Sequence, residues 1–350
     1  MTLPLLAAGD DALARRIRNR IDSLTKPLGS LGELEALALQ LALIQQSLQP
    51  RIRHPAILIF AADHGASASG ISAYPREVTR QMLLNYLQGG AAICVLSRQF
   101  GATLTVIDSG VDHAGKPVAS HPNLLHASLG AGTRNYLHEP AMTAAQFDRA
   151  VQCGRDIATA AIDGSADLLA LGEMGIGNTA SSALLMHCLT HYPLADCVGR
   201  GTGLDDAGLR RKLSLLEAAV QRGGRPITVR DAMLQYGGFE IAMLIGAMLA
   251  AAERHIAVIV DGFTVSIAAL AAIQIRPQVR EVCVFAHCSA ERGHRAVLAH
   301  LGARPLFDLG LRLGEGSGAA LAIPLCQSAT LLLSEMATFG EAGVSDQAPR

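Results

Sequence analysis

The chain has 350 residues, half of them apolar and only 17% charged, with a net charge of −1 at neutral pH. That length accommodates one large core or two unequal units, and that composition excludes a disordered chain. The near-neutral balance, with 4% aromatics and no tryptophan, argues against a basic nucleic-acid face or an RNA-stacking surface.

The opening MTLPLLAAGDDALARRIRNR is not an export signal in pattern, because its apolar run is short and acids follow at once. Asp10 to Leu48 reads as helix, interrupted at Lys26-Pro27-Leu28-Gly29-Ser30-Leu31-Gly32. Pro27 and Gly29 stop one helix. Ser30 is placed to cap the next, with Glu33 as its capping-box partner. Leu34, Leu37, Leu41 and Ile44 then give one apolar face at helical spacing.

From Ala56 the texture changes to short β-branched apolar runs alternating with helical segments. Strands are expected at Ala56–Phe60, Thr103–Asp108, Asp167–Leu171, Ile256–Val260 and Val282–Ala286. Helices are expected at Glu77–Gln99, Thr143–Ile162, Thr179–Cys188, Asp206–Arg222, Phe239–Arg254 and Ala290–His300. A last helical stretch runs near Ala319 to Thr338, with Pro324 early in it. Near-continuously apolar strands alternating with helices imply an α/β fold with a parallel sheet flanked by helices. Both chain ends lack strands and are expected to pack as a small helical domain. Its bounds are residues 1–50 together with 310–350, leaving 51–309 as the large α/β nucleotide-binding domain.

Seven cysteines, an odd count with no C-x-x-C pair, read as free thiols in a reducing compartment. No uninterrupted apolar run approaches the ~18 residues of a membrane span. A cytoplasmic protein without a membrane span or nucleic-acid partner is the expectation.

Ligand sites of open α/β sheets lie beyond the carboxyl ends of the strands. Here those ends are Ala61-Ala62-Asp63-His64-Gly65, Asp108-Ser109-Gly110, Gly172 to Thr179, Asp261-Gly262-Phe263 and His287-Cys288-Ser289. All are polar or glycine-rich, which points to a small-molecule site. G-E-M-G-I-G-N-T-A-S-S (172–182) follows a strand and opens a helix that Asn178 or Thr179 can cap, so free amides and the helix dipole would favour a phosphate. Its G-x-G, with Ala180 at the third position, keeps a dinucleotide redox enzyme or a non-catalytic nucleotide-binding subunit open as alternatives, and an ordinary tight turn stays open beside them. G-R-G-T-G-L-D-D (199–206) precedes a helix bearing Arg210, Arg211 and Lys212, which either holds phosphate or is simply solvated. Asp63-His64 and His287, Cys288 and His294 lack a familiar metal spacing, so no metal is expected. Glu315 in R-L-G-E-G-S-G-A-A (312–320) is either a solvated turn residue or a general base on a sterically open platform.

Eight segments in order resemble one family. They are S-L-T-K-P-L-G-S-L-G (23–32), A-D-H-G (62–65), S-A-Y-P-x-E-V-T-x-Q-M (72–82), G-G-A-A-I (89–93), G-E-M-G-I-G-N-T (172–179), G-R-G-T-G-L (199–204), A-H-x-S-A-E-x-G-H (286–294) and D-L-G-L-R-L-G-E-G-S-G-A (308–319). Together they resemble the nicotinate-nucleotide–dimethylbenzimidazole phosphoribosyltransferases of cobalamin assembly. The resemblance implies a homodimer with a Rossmann-like large domain and a small helical domain built from both chain ends. The implied substrates are nicotinate mononucleotide and a benzimidazole base, with no cofactor and no metal. By the same resemblance Glu315 falls on the general base. Glu173, Lys212 and Ser289 fall on nucleotide-contacting positions, with Gly175, Gly177, Asn178, Thr179 and Gly201 as the backbone cradle. Ser72, Tyr74, Gln81 and Leu313 fall near the acceptor-base pocket, with Arg80 beside Gln81.

Overall fold

The computed structural model describes residues 11–345, and within them six strands form one wholly parallel sheet. The strands are β1 (Pro55–Ala62), β2 (Thr103–Gly110), β3 (Leu124–His126), β4 (Leu168–Met174), β5 (Ala257–Val260) and β6 (Cys283–Phe285). Their order is β3-β2-β1-β4-β5-β6. This is the doubly wound Rossmann order, in which the chain reverses direction across the sheet between β1 and β4. Every residue of β1 is buried, so both faces of the sheet are covered, as its unbroken apolar run Pro55-Ala-Ile-Leu-Ile-Phe-Ala-Ala62 requires.

One covering pair is the Ala144–Asp163 and Phe239–Glu253 helices, which pack on each other, the second also lying along β1, β2, β4 and β5. Two glycines set how closely they approach. A Cβ added at Gly154 would lie 1.9 Å from the Met243 carbonyl oxygen, and one at Gly246 would lie 2.0 Å from that of Val151. The Ser317–Glu335 helix packs on the Glu33–Ile44 and Ala92–Gln99 helices and on β4 and β5. It is long and apolar enough to cross a membrane by length and composition, yet 56% of its apolar window is buried inside the protein, as for a core helix. It runs through Pro324 without a break.

The described parts of the two chain ends touch. The Asp11–Ser23 helix packs on Glu33–Ile44, Leu24 forms an antiparallel bridge with Thr338, and Arg20 pairs with Glu341 at 3.1 Å. Residues 1–10 and 346–350 of the expected helical unit lie outside the described residues.

Several local expectations are corrected. The single helix expected over Glu77–Gln99 is two, Val78–Leu87 and Ala92–Gln99, because the chain turns through Gly89 at φ +76°. Ser30 does not cap the second helix. Gly32 holds the N-cap position with no side-chain bond, and Glu35 rather than Glu33 turns back to accept the Leu31 N–H at 3.0 Å. The buried Lys26 ammonium, 3.0 Å from Glu35, draws that carboxylate inward. The last strand is shorter than expected because a helical turn, Val279–Val282, runs into it, and the helix expected from Ala290 starts at His294. The edge strand β3 carried no signal, being three residues long with only Leu124 buried.

The Gly154–Gly246 crossing yields a stability prediction. Gly154→Ala and Gly246→Ala each push a methyl into backbone, and overpacking of this kind costs about 1–3 kcal/mol. A fall in thermal midpoint of a few degrees is expected for each by calorimetry. An unchanged midpoint in both would contradict the close approach.

Candidate active site

The C-terminal ends of β4, β5 and β6 meet the loop that carries Glu315. Residues 314–316 cross directly over β4. A Cβ at Gly172 would lie 2.6 Å from the Gly316 nitrogen, and one at Gly314 would lie 2.7 Å from Glu173 Oε1. Three successive residues here are left-handed: Gly314 (φ +79°), Glu315 (φ +65°) and Gly316 (φ +78°). Glycine adopts this region freely, but glutamate does so at a cost of about 1–3 kcal/mol, and strain of this kind clusters at functional sites.

What holds the loop there is Asp261, just beyond β5. Its Oδ1 accepts the Ala319 N–H at 2.8 Å and its Oδ2 accepts the Gly316 N–H at 3.3 Å. The first turn of the Ser317–Glu335 helix is therefore capped by a carboxylate from the sheet, favoured by the helix dipole and by charge-assisted bonds. His287 closes the far side. Its Nε2 is 3.8 Å from Asp261 Oδ1, its ring stacks on Phe307, and a Cβ at Gly318 would lie 2.1 Å from it.

Two carboxyls face this junction and both are buried. Glu315, 5% exposed, is pushed up to about 7, chiefly by burial; the neighbouring Tyr86 hydroxyl opposes the rise and the Asp261 charge adds to it. Glu173 is pushed up to about 8, again chiefly by burial, then by Asp261 and Glu240; Asn178 opposes this and Glu315 adds to it. Asn178 Nδ2 donates to Glu173 Oε2. Among these groups, burial outweighs every individual charge.

The β4 turn leads from these acids to a cationic cleft. Gly175 passes against β1, where a Cβ would lie 2.4 Å from the Ala62 carbonyl oxygen. The Ile176 N–H donates to Thr79 Oγ1 at 3.1 Å, tying the turn to the Val78–Leu87 helix. Beneath it, His64 Nε2 meets Glu240 Oε1 at 2.7 Å and His64 Nδ1 meets Ser181 Oγ at 3.0 Å. The following helix, Asn178–Leu189, has Gly177 at its N-cap, so neither Asn178 nor Thr179 caps it. Asn178 serves Glu173 instead, and Thr179 Oγ1 accepts from Lys212 Nζ at 3.0 Å.

Lys212 is 1% exposed, whereas its neighbours Arg210 and Arg211 are exposed. Burial lowers it to about 8, with Glu291 opposing. Its Nζ also donates to the Gly199 carbonyl at 3.2 Å. A Cβ at Gly201 would lie 3.1 Å from Thr179 Oγ1 and 3.6 Å from Lys212 Nζ. A cleft of about 560 Å³ opens over this loop, lined by Gly199, Gly201, Leu204, Glu291, Arg292 and Arg312 among others. Ser289 is buried beside it. Its Oγ accepts the Glu291 N–H at 3.2 Å, and its own N–H donates to His294 Nδ1 at 2.7 Å. That bond makes Nδ1 the acceptor, so the His294 proton sits on Nε2, 2.9 Å from Ser266 Oγ. His294 stays neutral, lowered to about 3 by burial and then by His287 and Arg295.

The structure thus gathers Glu173, Asn178 and Glu315 at one junction. It gathers Thr179, Gly201 and Lys212 at an adjoining cleft, with Ser289 joined through Glu291. The acceptor-base candidates are less enclosed. Tyr74 and Leu313 are 51% and 55% exposed, and Ser72 Oγ accepts the Tyr74 N–H at 3.2 Å. Gln81 is exposed, on the side of its helix opposite the buried Thr79, Leu83 and Tyr86, while Arg80 donates to the Lys116 carbonyl at 3.2 Å. The turn bearing Ser72 and Tyr74 is fastened by Arg76, which pairs with Asp63 at 3.5 Å and Asp112 at 3.3 Å.

Sequence reasoning passed over Tyr86, Glu291 and Arg312. Glu291 and Arg312 lie inside quoted motifs, and the helical spacing of Thr79, Leu83 and Tyr86 was the available signal for the third. Among the described residues no group of three or more His, Cys, Asp or Glu side chains is placed to hold a metal ion.

A family described as phosphoribosyltransferase (DBI_PRT) matches residues 6–344. A relative from Ralstonia nicotianae, named nicotinate-nucleotide–dimethylbenzimidazole phosphoribosyltransferase, is 54% identical over 346 residues, covering 98% of this chain and 97% of its own. One of the same name from Aromatoleum aromaticum is 55% identical, with 97% of each chain covered. The crystal structure of CobT from Thermus thermophilus superposes with a TM-score of 0.92 at 43% identity, covering 96% of this chain and 99% of that one.

The raised Glu173 carboxyl has a measurable consequence. A folded-state value of about 8 against an ordinary 4.5 means the folded protein holds a proton that the unfolded chain releases between those values. Stability from this group is full below the ordinary value and is lost as pH rises through the folded one. Glu315 acts with the same sign. The thermal midpoint should fall with rising pH across that window, and Glu173→Gln, which mimics the protonated acid, should flatten the slope. An equally steep slope in the variant would sink the assignment.

Proposed function

The chain belongs to the nicotinate-nucleotide–dimethylbenzimidazole phosphoribosyltransferase family, and we propose that Glu315 is the general base with which it transfers phosphoribose from nicotinate mononucleotide to 5,6-dimethylbenzimidazole. The products are nicotinate and α-ribazole 5′-phosphate. The observation that carries the reading is the Glu315 carboxyl itself. It is buried in a strained loop at the carboxyl edge of the sheet, with its proton affinity raised to about 7.

Nicotinate leaves its nucleotide as a neutral aromatic ring, because the electron pair of the breaking C1′–N bond cancels the pyridinium charge. No acid is needed for departure. One benzimidazole nitrogen attacks C1′ from the opposite face, which inverts the anomeric centre from β to α. The other ring nitrogen loses its proton to Glu315, removing the positive charge that bonding would otherwise leave on the ring. A base whose pKa lies near neutrality is well matched to this transfer. The remaining contribution is positioning and electrostatics. Lys212, the Gly201 loop and the Gly175–Thr179 turn are suited to hold the phosphate and ribose, with Glu173 and Ser289 at the sugar and Ser72, Tyr74, Gln81 and Leu313 toward the acceptor. The relatives' names favour this transfer over dinucleotide redox chemistry. A homodimer belongs to the same reading, and sedimentation would test it.

Glu315→Gln is expected to lower turnover by ~10²–10⁴-fold, the span of general-base loss, with nicotinate mononucleotide affinity unchanged. Near-normal turnover would remove Glu315 from the role. In the parent enzyme, kcat/KM for the acceptor should rise with pH to a plateau above about 7, since only the ionised carboxylate accepts the proton.

A further inference from the structure

Tyr86 lies on the buried stripe of the Val78–Leu87 helix, two turns beyond the Thr79 hydroxyl that holds Ile176 of the β4 turn. The residue is 2% exposed. Its hydroxyl and Glu315 Oε2 are both buried, and neither has an aligned hydrogen-bond partner among the described residues. The two groups are neighbours, and the phenol holds down the proton affinity of the carboxylate as a hydrogen-bond donor does. A buried hydroxyl and a buried carboxylate oxygen left without partners are costly, and a bond between the two would satisfy both. The helix is also anchored at this end, where Cys94 Sγ donates to the Tyr86 carbonyl at 3.4 Å.

We propose that Tyr86 is the positioning residue of the general base, its phenol donating a hydrogen bond to the Glu315 carboxylate and so setting the pH at which that carboxylate is ionised. This rests on the reading of Glu315 as the base. Among the described residues, the phenol is the donor that faces Glu315: Asp261 from the end of β5 raises its proton affinity, and Glu173 from β4 and Cys94 from the Ala92–Gln99 helix face the same pair. Arg98 faces Cys94, and His287 faces Asp261. A neutral donor stabilises the ionised carboxylate more than the protonated acid, so it lowers the pH at which the base becomes active.

The test is the acid limb of the pH profile of kcat/KM for the acceptor. Tyr86→Phe keeps the ring and removes the donor, and it should move the limb upward by about half to one pH unit, the equivalent of one net hydrogen bond. On the limb, near pH ~6, this reads as roughly a three- to tenfold loss, while the plateau and the KM for nicotinate mononucleotide change little. A purely structural role would lower the profile at every pH instead. Replacing Tyr86 by 3-fluorotyrosine keeps shape and hydroxyl but strengthens the donor, so the limb should move downward; this variant decides the matter if Tyr86→Phe fails to fold. Glu315→Gln serves as the control and should abolish the limb. If the control abolishes it and neither Tyr86 variant moves it, the role of Tyr86 is overturned and the base stands. If the control leaves the limb intact, the base assignment falls and Tyr86 falls with it.

Discussion

Asp261 joins the sheet to the C-terminal helix. Its two carboxylate oxygens accept backbone N–H groups of Gly316 and Ala319, so the first turn of the Ser317–Glu335 helix is docked on the end of β5. The position of Glu315 follows from that docking, since it immediately precedes the capped turn. A carboxylate this buried is costly in isolation, and burial does raise its proton affinity. His287 and the amides of the helix start oppose that rise, which is how an acid can remain at this depth as an acceptor. The approach also demands the absence of side chains at Gly172 and Gly318, where a Cβ would enter the facing backbone or the His287 ring.

The same docking crowds acidic groups. Asp261, Glu240 and Glu315 all lie within the field of Glu173, Asp261 also acts on Glu315, and all four acids are buried. The protein answers with local partners: Asn178 for Glu173, His64 for Glu240, helix amides for Asp261. Among the described residues Oε2 of Glu240 and Oε2 of Glu315 both lack an aligned partner, and of the two Glu315 alone also sits in a left-handed conformation, which glutamate does not favour. A group kept under-satisfied and strained beside better-satisfied neighbours is available for chemistry that they are not.

The cationic side is built by the opposite device. Lys212 is pulled inward from a helix whose adjacent arginines stay in water, and Thr179, Gly199 and Glu291 receive it. The topology sets the two sides next to one another. With strand order β3-β2-β1-β4-β5-β6, the reversal falls between β1 and β4, and the Gly175–Thr179 turn leaves β4 at that point.

The sequence by itself determined the parallel α/β class, five of the six strands, the polar strand ends and the family. Each of these is written in local pattern: apolar runs of strand length, glycine-rich turns after them, and motifs of a few adjacent residues. Only the tertiary structure decided that Asp261 caps a helix start 55 residues further on, that Lys212 and not Arg210 or Arg211 turns inward, that Gly32 takes the cap position in place of Ser30 and Glu35 turns back in place of Glu33, and that Tyr86 faces Glu315. Those outcomes pair residues far apart in the chain, or choose among equally plausible neighbours. Burial, which makes the choice, is a property of packed surfaces and has no periodicity in the chain that could announce it.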